Sequence, residues 1–140
     1  MNWKLIFLLS LFGLAMGFAT VFLIPTKIEP AFWLIIFLIS AYLIAKRCAS
    51  RLFLHGLLVG LVNCVWVTSA HILFIERYLL GHAHEAAMLD SMTWPDSQQG
   101  EMALMGLGIG VISGVVLGLF AFVAGKLVRG PRLSGSRSRA

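Results

Sequence analysis

The sequence predicts an all-α membrane protein: four transmembrane helices in an antiparallel bundle, with a short amphipathic helix in the outer loop between helices 3 and 4. Its mean hydropathy is +0.92. Apolar residues make up 59% of the 140 positions and charged residues only 12%, about half the share in a soluble domain. The charged residues are also clustered, which leaves long uncharged stretches. Composition and clustering together favour a chain that crosses a bilayer several times.

Four stretches of the chain contain no charged residue. They are Leu5–Ile24, Ala31–Ala45, Leu52–Ile75 and Met102–Gly125. A transmembrane helix needs about 20 apolar residues to cross about 30 Å of hydrocarbon. Three stretches reach that length, and the second reaches it with Pro30 at one end and Lys46 and Arg47 extending towards the headgroups at the other. We therefore predict spans at about 5–24, 30–48, 52–75 and 102–126 in a single transmembrane domain, residues 1–128.

The first span also has the outline of a signal peptide. Lys4 precedes an apolar run, and Gly17-Phe18-Ala19 forms a small-x-small site. However, the apolar run continues through Ile24, which is longer than the apolar region of a typical signal peptide. The sequence therefore favours a retained span over a cleaved leader.

The distribution of basic residues predicts the orientation. Nine of the eleven lysines and arginines precede the first span, link the second to the third, or follow the fourth. Since lysine and arginine collect on the cytoplasmic side, we predict a multi-pass protein of the cytoplasmic (inner) membrane with both termini in the cytoplasm. The outer loop, 76–101, is acidic. The links at Pro25–Pro30 and Lys46–Arg51 are short, which predicts that helices one to three pack as sequential neighbours.

Glycines at helical spacing predict close helix packing. In lipid the hydrophobic effect does not drive helices together, so their association depends more on small residues that let the backbones approach closely. The fourth span carries a glycine-zipper pattern, and pairs occur in the first and third spans; the positions are Gly106, Gly110, Gly114, Gly118, Gly13, Gly17, Gly56 and Gly60. We expect the fourth helix to be the central packing element. Its partner is a helix of the same chain or, alternatively, a second copy in a homo-oligomer.

The third span carries the polar residues within the membrane. These are His55, Asn63 and His71. Amide and imidazole groups in this setting usually make hydrogen bonds between helices, which is the interpretation that we favour for Asn63 and His71. The alternative is that Asn63 and His71 line a cavity.

The outer loop contains the one pattern that suggests a metal site. In a helix over 84–92, His84, Met88 and Met92 would align, with His82 nearby. Imidazole and thioether ligands suit copper or zinc, so a metal bound at this loop is the one cofactor to consider. The alternative, which we favour, is an amphipathic helix lying on the outer membrane surface.

The C-terminal residues 129–140 are basic and rich in serine and glycine. Such a segment is predicted to be a disordered cytoplasmic tail. Its charges favour contact with anionic lipid of the inner leaflet. The chain shows no interleaving of basic and aromatic residues that would indicate a nucleic-acid partner.

The sequence favours a non-enzymatic role. It contains no nucleophile elbow and no phosphate-binding loop after a strand. No span has an Asp, Glu, Lys or Arg at its centre, where ion-coupled transporters usually carry one. The leading hypothesis is an accessory, scaffold or assembly component that packs on another membrane protein or on itself. The alternatives are a small oligomeric transporter or channel, and extracytoplasmic handling of copper or zinc through the His/Met loop.

Overall fold

The structure, a computed structural model, describes residues 1–92 and 97–129, and most of these lie in helices. The helices are α1 (Trp3–Phe22), α2 (Glu29–Arg47), α3 (Leu52–Leu73), α4 (Ile75–Gly81), α5 (Ala83–Asp90) and α6 (Gln98–Arg129). Those two ranges contain no strand. Helices α1, α2, α3 and α6 are each long and apolar enough to cross a membrane, and each overlaps one predicted span. The class is therefore confirmed as all-helical with four potential membrane-spanning helices. The predicted tail at 130–140 lies outside the described residues.

Local sequence determines where the helices begin and end. Asn2 caps α1, because its side-chain oxygen accepts a hydrogen bond from the N–H of Leu5 at 3.1 Å. Pro25 follows α1, and Pro30 lies in the first turn of α2, where a helix needs no backbone donor. Arg51 precedes α3 with φ 55°, in the left-handed region. This backbone conformation completes the turn in the short link between α2 and α3.

The most extensive helix contact joins α3 to α6, and glycines face each other across it. A Cβ added to Gly56 would lie 2.7 Å from the Cα of Gly118, and one added to Gly60 would collide with the backbone of Gly114. Since residue numbers fall along α6 as they rise along α3, the two helices run in opposite directions. The backbones approach this closely because neither side carries a side chain there.

The same contact continues towards the start of α6. Gly110 lies against Cys64 of α3, and Gly106 lies against Thr68. The thiol of Cys64 donates a hydrogen bond to the carbonyl oxygen of Gly106 at 2.9 Å. Gly108 faces away, with open space where a Cβ would stand. Helix α3 of the same chain therefore covers the face of α6 that carries Gly106, Gly110, Gly114 and Gly118.

Helix α1 packs on the other side of α3. A Cβ on Gly13 would lie 2.6 Å from the side-chain oxygen of Asn63, and one on Gly17 would lie 3.0 Å from the Cβ of Ala70. Residue numbers rise together in this pair, so α1 and α3 run in the same direction. The two glycines of the first span thus lie at the closest approach of these helices.

Helix α2 does not pack as predicted. Its main partner is α6, and it makes only sparse contact with α1 and α3, its neighbours along the chain. Phe37 of α2 meets Phe120 of α6 edge-on, with 6.3 Å between ring centroids. The expectation that helices one to three pack as sequential neighbours is therefore wrong for α2. A short link holds only the connected helix ends together and leaves the remainder of each helix to follow its own side-chain contacts.

Two apolar clusters fix the ends of the bundle. One joins α1, α2, α3 and α6 near the link between α2 and α3, and its fully buried members include Ile6, Ile44 and Leu117. The other lies at the opposite end, where Ile75, Tyr78 and Leu89 pack with Val21 and Met102. The second cluster holds α4 and α5 against the ends of α1 and α6.

The segment between α3 and α6 differs from the single helix expected there. It contains two short helices, α4 and α5, and α5 ends at Asp90. The backbone N–H and the hydroxyl of Ser91 both donate to the carbonyl oxygen of Met88, at 3.2 Å and 2.7 Å. These bonds close the last turn, so Met92 lies beyond the helix. The predicted alignment of His84, Met88 and Met92 along one helix is therefore not formed.

Charged residues separate to the two ends of the molecule. The end that carries the start of α1 and the link between α2 and α3 also carries basic side chains; in the described residues these are Lys4, Lys46, Arg47, Arg51 and Lys126. Glu29 and Glu85 lie at the opposite end, near α4 and α5, together with Lys27 of the link between α1 and α2 and Arg77 of α4. We call these the basic end and the acidic end.

Candidate functional site

A cavity of about 520 Å³ lies between α2, α3 and α6 and reaches the acidic end. It exists because α2 packs on α6 but stands away from α3. Its walls are largely apolar and aromatic; they include Trp33, Phe37, Val67, Met102, Met105, Ile109, Val116 and Phe120. The polar lining residues are Thr26, Glu29, Asn63, Cys64, Thr68, His71, Tyr78, Glu85 and Ser113. A large apolar wall with a few polar groups is typical of a small-molecule site.

Three stacked rings form the acidic end of the site. His71 of α3 stacks on Tyr78 of α4 with 3.8 Å between ring centroids, and Tyr78 stacks on His82 with 4.1 Å. All three residues are buried, with 7%, 5% and 1% of their surfaces exposed. The helix is interrupted at Phe74, and Tyr78 of α4 lies against His71 of α3. The rings thus connect α3 to α4 and to His82, the residue between α4 and α5.

His71 also links α3 to α1. Its Nε2 lies 2.9 Å from the hydroxyl oxygen of Thr20. The Thr20 hydroxyl donates to the carbonyl oxygen of Met16 at 2.9 Å, so its oxygen accepts from His71 in the tautomer with a proton on Nε2. His71 therefore makes the hydrogen bond between helices that was expected for it.

His82 contacts α2 through Glu29. Its Nδ1 donates to the carbonyl oxygen of Tyr78 at 2.9 Å, because a carbonyl can only accept. The other nitrogen, Nε2, lies 3.8 Å from a carboxylate oxygen of Glu29 and makes no hydrogen bond with a described residue. The second oxygen of Glu29 accepts from the indole N–H of Trp33 at 3.0 Å. The Trp33 bond orients the Glu29 carboxylate beside His82.

Glu85 supplies a second carboxylate to the site. Its Oε2 is buried and has no hydrogen-bond partner in the described part of the chain. Burial raises the pKa of the Tyr78 phenol above its usual range, and the nearby charges of Glu29 and Glu85 raise it further. Both carboxylates therefore lie close enough to Tyr78 to repel a phenolate. The acidic end of the cavity thus has two carboxylates, Glu29 and Glu85, near one protonated phenol.

Asn63 lies deeper in the same cavity. It precedes His71 by eight residues on α3, which places it about 12 Å further along the helix. Only 3% of its surface is exposed, and neither amide atom has a hydrogen-bond partner within the described ranges. The structure thus differs from the expectation of an interhelical hydrogen bond at Asn63. Gly13 approaches the residue from one side, and the cavity lies on another.

His55 belongs to a different part of the molecule. Its Nδ1 lies 2.8 Å from the carbonyl oxygen of Arg51, and its Nε2 accepts from the backbone N–H of Asn2 at 3.0 Å. Nε2 therefore joins α3 to the start of α1 at the basic end, whereas Nδ1 bonds Arg51, the residue that precedes α3. His55 and His71 lie in opposite halves of α3, so these two polar residues do not form one site.

The four candidate metal ligands occupy different surroundings. His82 is buried against Tyr78, whereas His84 and Met88 on α5 are exposed. Met92 packs on the apolar cluster at the acidic end. Within residues 1–92 and 97–129, no group of three or more His, Cys, Asp and Glu side chains is arranged to hold a metal ion. The geometry therefore assigns His82 to the ring stack.

Sequence reasoning missed Glu29, Trp33, Tyr78 and Glu85 as members of a site. Glu29 and Glu85 are 56 positions apart in the sequence, and only the tertiary fold makes both of them line the same cavity. The available signal was the pair of acidic residues in loops on the same predicted side.

Comparisons of the chain with protein-family models, curated proteins and solved structures found no match.

Proposed function

We propose that this chain is a multi-pass protein of the cytoplasmic membrane that binds a small amphiphilic molecule between its helices and transports it. The observation that carries this proposal is the cavity of about 520 Å³ between α2, α3 and α6. Ligand cavities commonly measure about 300 to 1,000 Å³. The volume of this cavity lies within that range.

The lining supports an amphiphile as the ligand. Aromatic rings and the thioethers of Met102 and Met105 surround most of the cavity, whereas the carboxylates of Glu29 and Glu85 lie at the acidic end. Thioether side chains adapt to ligands of different shape. Asn63 lines the apolar part; its amide is buried without a partner among the described residues, and such a group costs about 1 to 3 kcal/mol.

The proposal includes an orientation. The four long helices form an antiparallel bundle with the basic end in the cytoplasm, both termini on that side, and the acidic end outside. The clustering of lysine and arginine at one end supports it, since such residues are retained in the cytoplasm. The mouth of the cavity then faces the outer side of the membrane. The role is one of binding and transport, without chemistry on the ligand.

Photochemical labelling tests whether the cavity binds small molecules. The probe is 4-benzoylbenzyl alcohol, whose excited ketone inserts readily into C–H bonds next to sulfur. In lipid nanodiscs we expect labelling at Met102 and Met105, which line the cavity. Val116→Phe should reduce it, because Val116 also lines the cavity. Val115→Phe is the matched control, since Val115 is 39% exposed and is not a lining residue.

Equal labelling of the two variants would overturn the binding proposal. Transport is tested separately in liposomes, by efflux of a labelled amphiphile from vesicles with wild-type protein or the Val116→Phe variant. If the protein binds without accelerating efflux and co-purifies with a membrane protein in fixed stoichiometry, the accessory role expected from the sequence replaces transport.

A further inference from the structure

The acidic end of the cavity offers hydrogen-bond acceptors and negative charge. Glu29 and Glu85 line it, and both influence the same Tyr78 phenol. No lysine or arginine of the described residues is among the lining residues. A buried carboxylate without a cation is costly to maintain, and no described residue supplies the missing partner to Oε2 of Glu85.

The charged lining residues at this end are the two carboxylates of Glu29 and Glu85. An ionised carboxylate has only acceptor oxygens, and one oxygen of Glu29 already accepts from the indole N–H of Trp33. The complementary ligand group is a cation with several N–H donors. A primary or secondary ammonium has this chemistry, and a carboxylate or phosphate does not.

We propose that the ligand is a lipophilic amine, held with its ammonium group between Glu29 and Glu85 and its apolar body along Phe37, Met105 and Phe120. This inference rests on the proposed function, because it names the class of molecule that the cavity takes. The ammonium donates to the two carboxylates at the acidic end. The apolar body fills the space that α2 leaves beside α3, and Asn63 contacts its far end.

Three matched photoprobes test the ligand class. They are 4-benzoylbenzylammonium, 4-benzoylbenzyl alcohol and 4-benzoylbenzoate, which share one apolar body and differ in the charge of the end group. Labelling of Met102 and Met105 in nanodiscs of zwitterionic lipid is measured at low probe concentration. We expect the ammonium to label about tenfold more strongly than the alcohol, since a charge-assisted bond contributes that much. The benzoate should label least.

Isosteric variants identify the carboxylates responsible. Glu29→Gln and Glu85→Gln should each remove most of the preference for the ammonium while labelling by the alcohol persists. Persistent alcohol labelling also shows that the cavity is still folded. Glu76→Gln is the matched control, because Glu76 is an exposed carboxylate of α4 outside the cavity. It should leave the preference unchanged.

The outcomes separate the two proposals. If all three probes label equally and Val116→Phe reduces all of them, the cavity binds small molecules but the amine is the wrong class. A preference that Glu76→Gln removes as strongly as Glu85→Gln would place the effect at the surface and also overturn the inference. If no probe labels Met102 or Met105, the proposed function itself is wrong.

Discussion

Tyr78 stands between two imidazole rings and beside two carboxylates, and the site opposes ionisation of its phenol. Its pKa in the folded protein is therefore above the unfolded value of about 10. Because this pKa is raised in the folded state, the protonated Tyr78 phenol makes its full contribution to the free energy of unfolding below about pH 10. That contribution is lost as the pH rises further, because the unfolded chain releases the proton first.

Absorbance at 295 nm measures this ionisation. Tyr42→Phe leaves Tyr78 as the single tyrosine of the chain. In this variant we expect phenolate absorbance to appear only well above pH 10 while the helical circular dichroism persists. The same variant unfolded in denaturant provides the reference titration. Phenolate formation near pH 10 in the helical protein would show that Tyr78 is not enclosed as described.

Asn63 presents a second test at the residue scale. Its buried amide makes no hydrogen bond within the described ranges, so replacing it with the similarly shaped Leu removes an unsatisfied polar group. We expect Asn63→Leu to leave the free energy of unfolding unchanged or to raise it by about 1 kcal/mol. Reversible unfolding in mixed micelles, followed by circular dichroism, measures the change.

Thr20→Val provides the comparison for Asn63. It removes the hydroxyl that contacts His71 at 2.9 Å, and it should lower the free energy of unfolding by about 1 kcal/mol. If Asn63→Leu destabilises the protein more than Thr20→Val does, Asn63 has a structural partner, and its assignment to the ligand is wrong.

The polar residues of α3 show what a single helix can reveal about a site. The sequence predicted hydrogen bonds between helices for Asn63 and His71 from their membrane setting. His71 contacts Thr20 across the interface, and His55 bonds the backbone of Asn2, because a partner lies at the same depth in each case. Asn63 faces Gly13, which has no side chain to offer. Whether a polar residue of α3 forms a hydrogen bond depends on the residue that faces it across the interface. The pattern within one helix does not identify that facing residue.

Among the helices, the contact between α3 and α6 leads to a specific prediction about stability. A Cβ on Gly60 would meet the backbone of Gly114, which cannot move without shifting a helix. We expect Gly60→Ala to lower the free energy of unfolding by about 1 to 3 kcal/mol, the usual cost of overpacking. Titration with SDS, followed by circular dichroism, gives the change.

Gly108→Ala is the matched control on α6. A Cβ there meets open space, so the change should be neutral or stabilise the helix by up to about 1 kcal/mol through higher helix propensity. If both alanine variants behave alike, the close approach of α3 and α6 does not contribute to stability.

The existence of the long helices could be predicted, and the position of α2 could not. Three uncharged stretches are long enough to span hydrocarbon, and the second is long enough with its flanking residues. A helix satisfies its own backbone there, so length predicts a helix. Lateral packing depends on the shapes of side chains, and α2 lacks glycines in its span. It meets α6 through Phe37 and Phe120. The cavity forms because α2 packs on α6 and not on α3. The sequence did not indicate this packing and therefore did not predict the cavity as a site.

For the whole molecule, the proposed orientation predicts which residues reagents can reach. In a Cys48→Ala, Cys64→Ser background, His84→Cys places a thiol on exposed α5 and Ser50→Cys places one in the exposed link at the basic end. We expect a membrane-impermeant maleimide to label His84→Cys in intact cells. It should label Ser50→Cys only after the membrane is permeabilised. The opposite result would mean that the acidic end faces the cytoplasm.

The separation of charge along the molecule has an electrical consequence. A membrane at rest is negative inside, and moving one elementary charge across it changes the energy by about 2.3 kcal/mol per 100 mV. With the basic end inside, Lys4, Lys46, Arg47, Arg51 and Lys126 already lie on the favourable side. Turning the molecule over would carry all five against the voltage, at a cost of more than about 10 kcal/mol at 100 mV. In the proposed orientation, the membrane potential of an energised cell would thus stabilise the inserted protein against inversion. The same potential would draw inward a cation that enters the cavity from the acidic end.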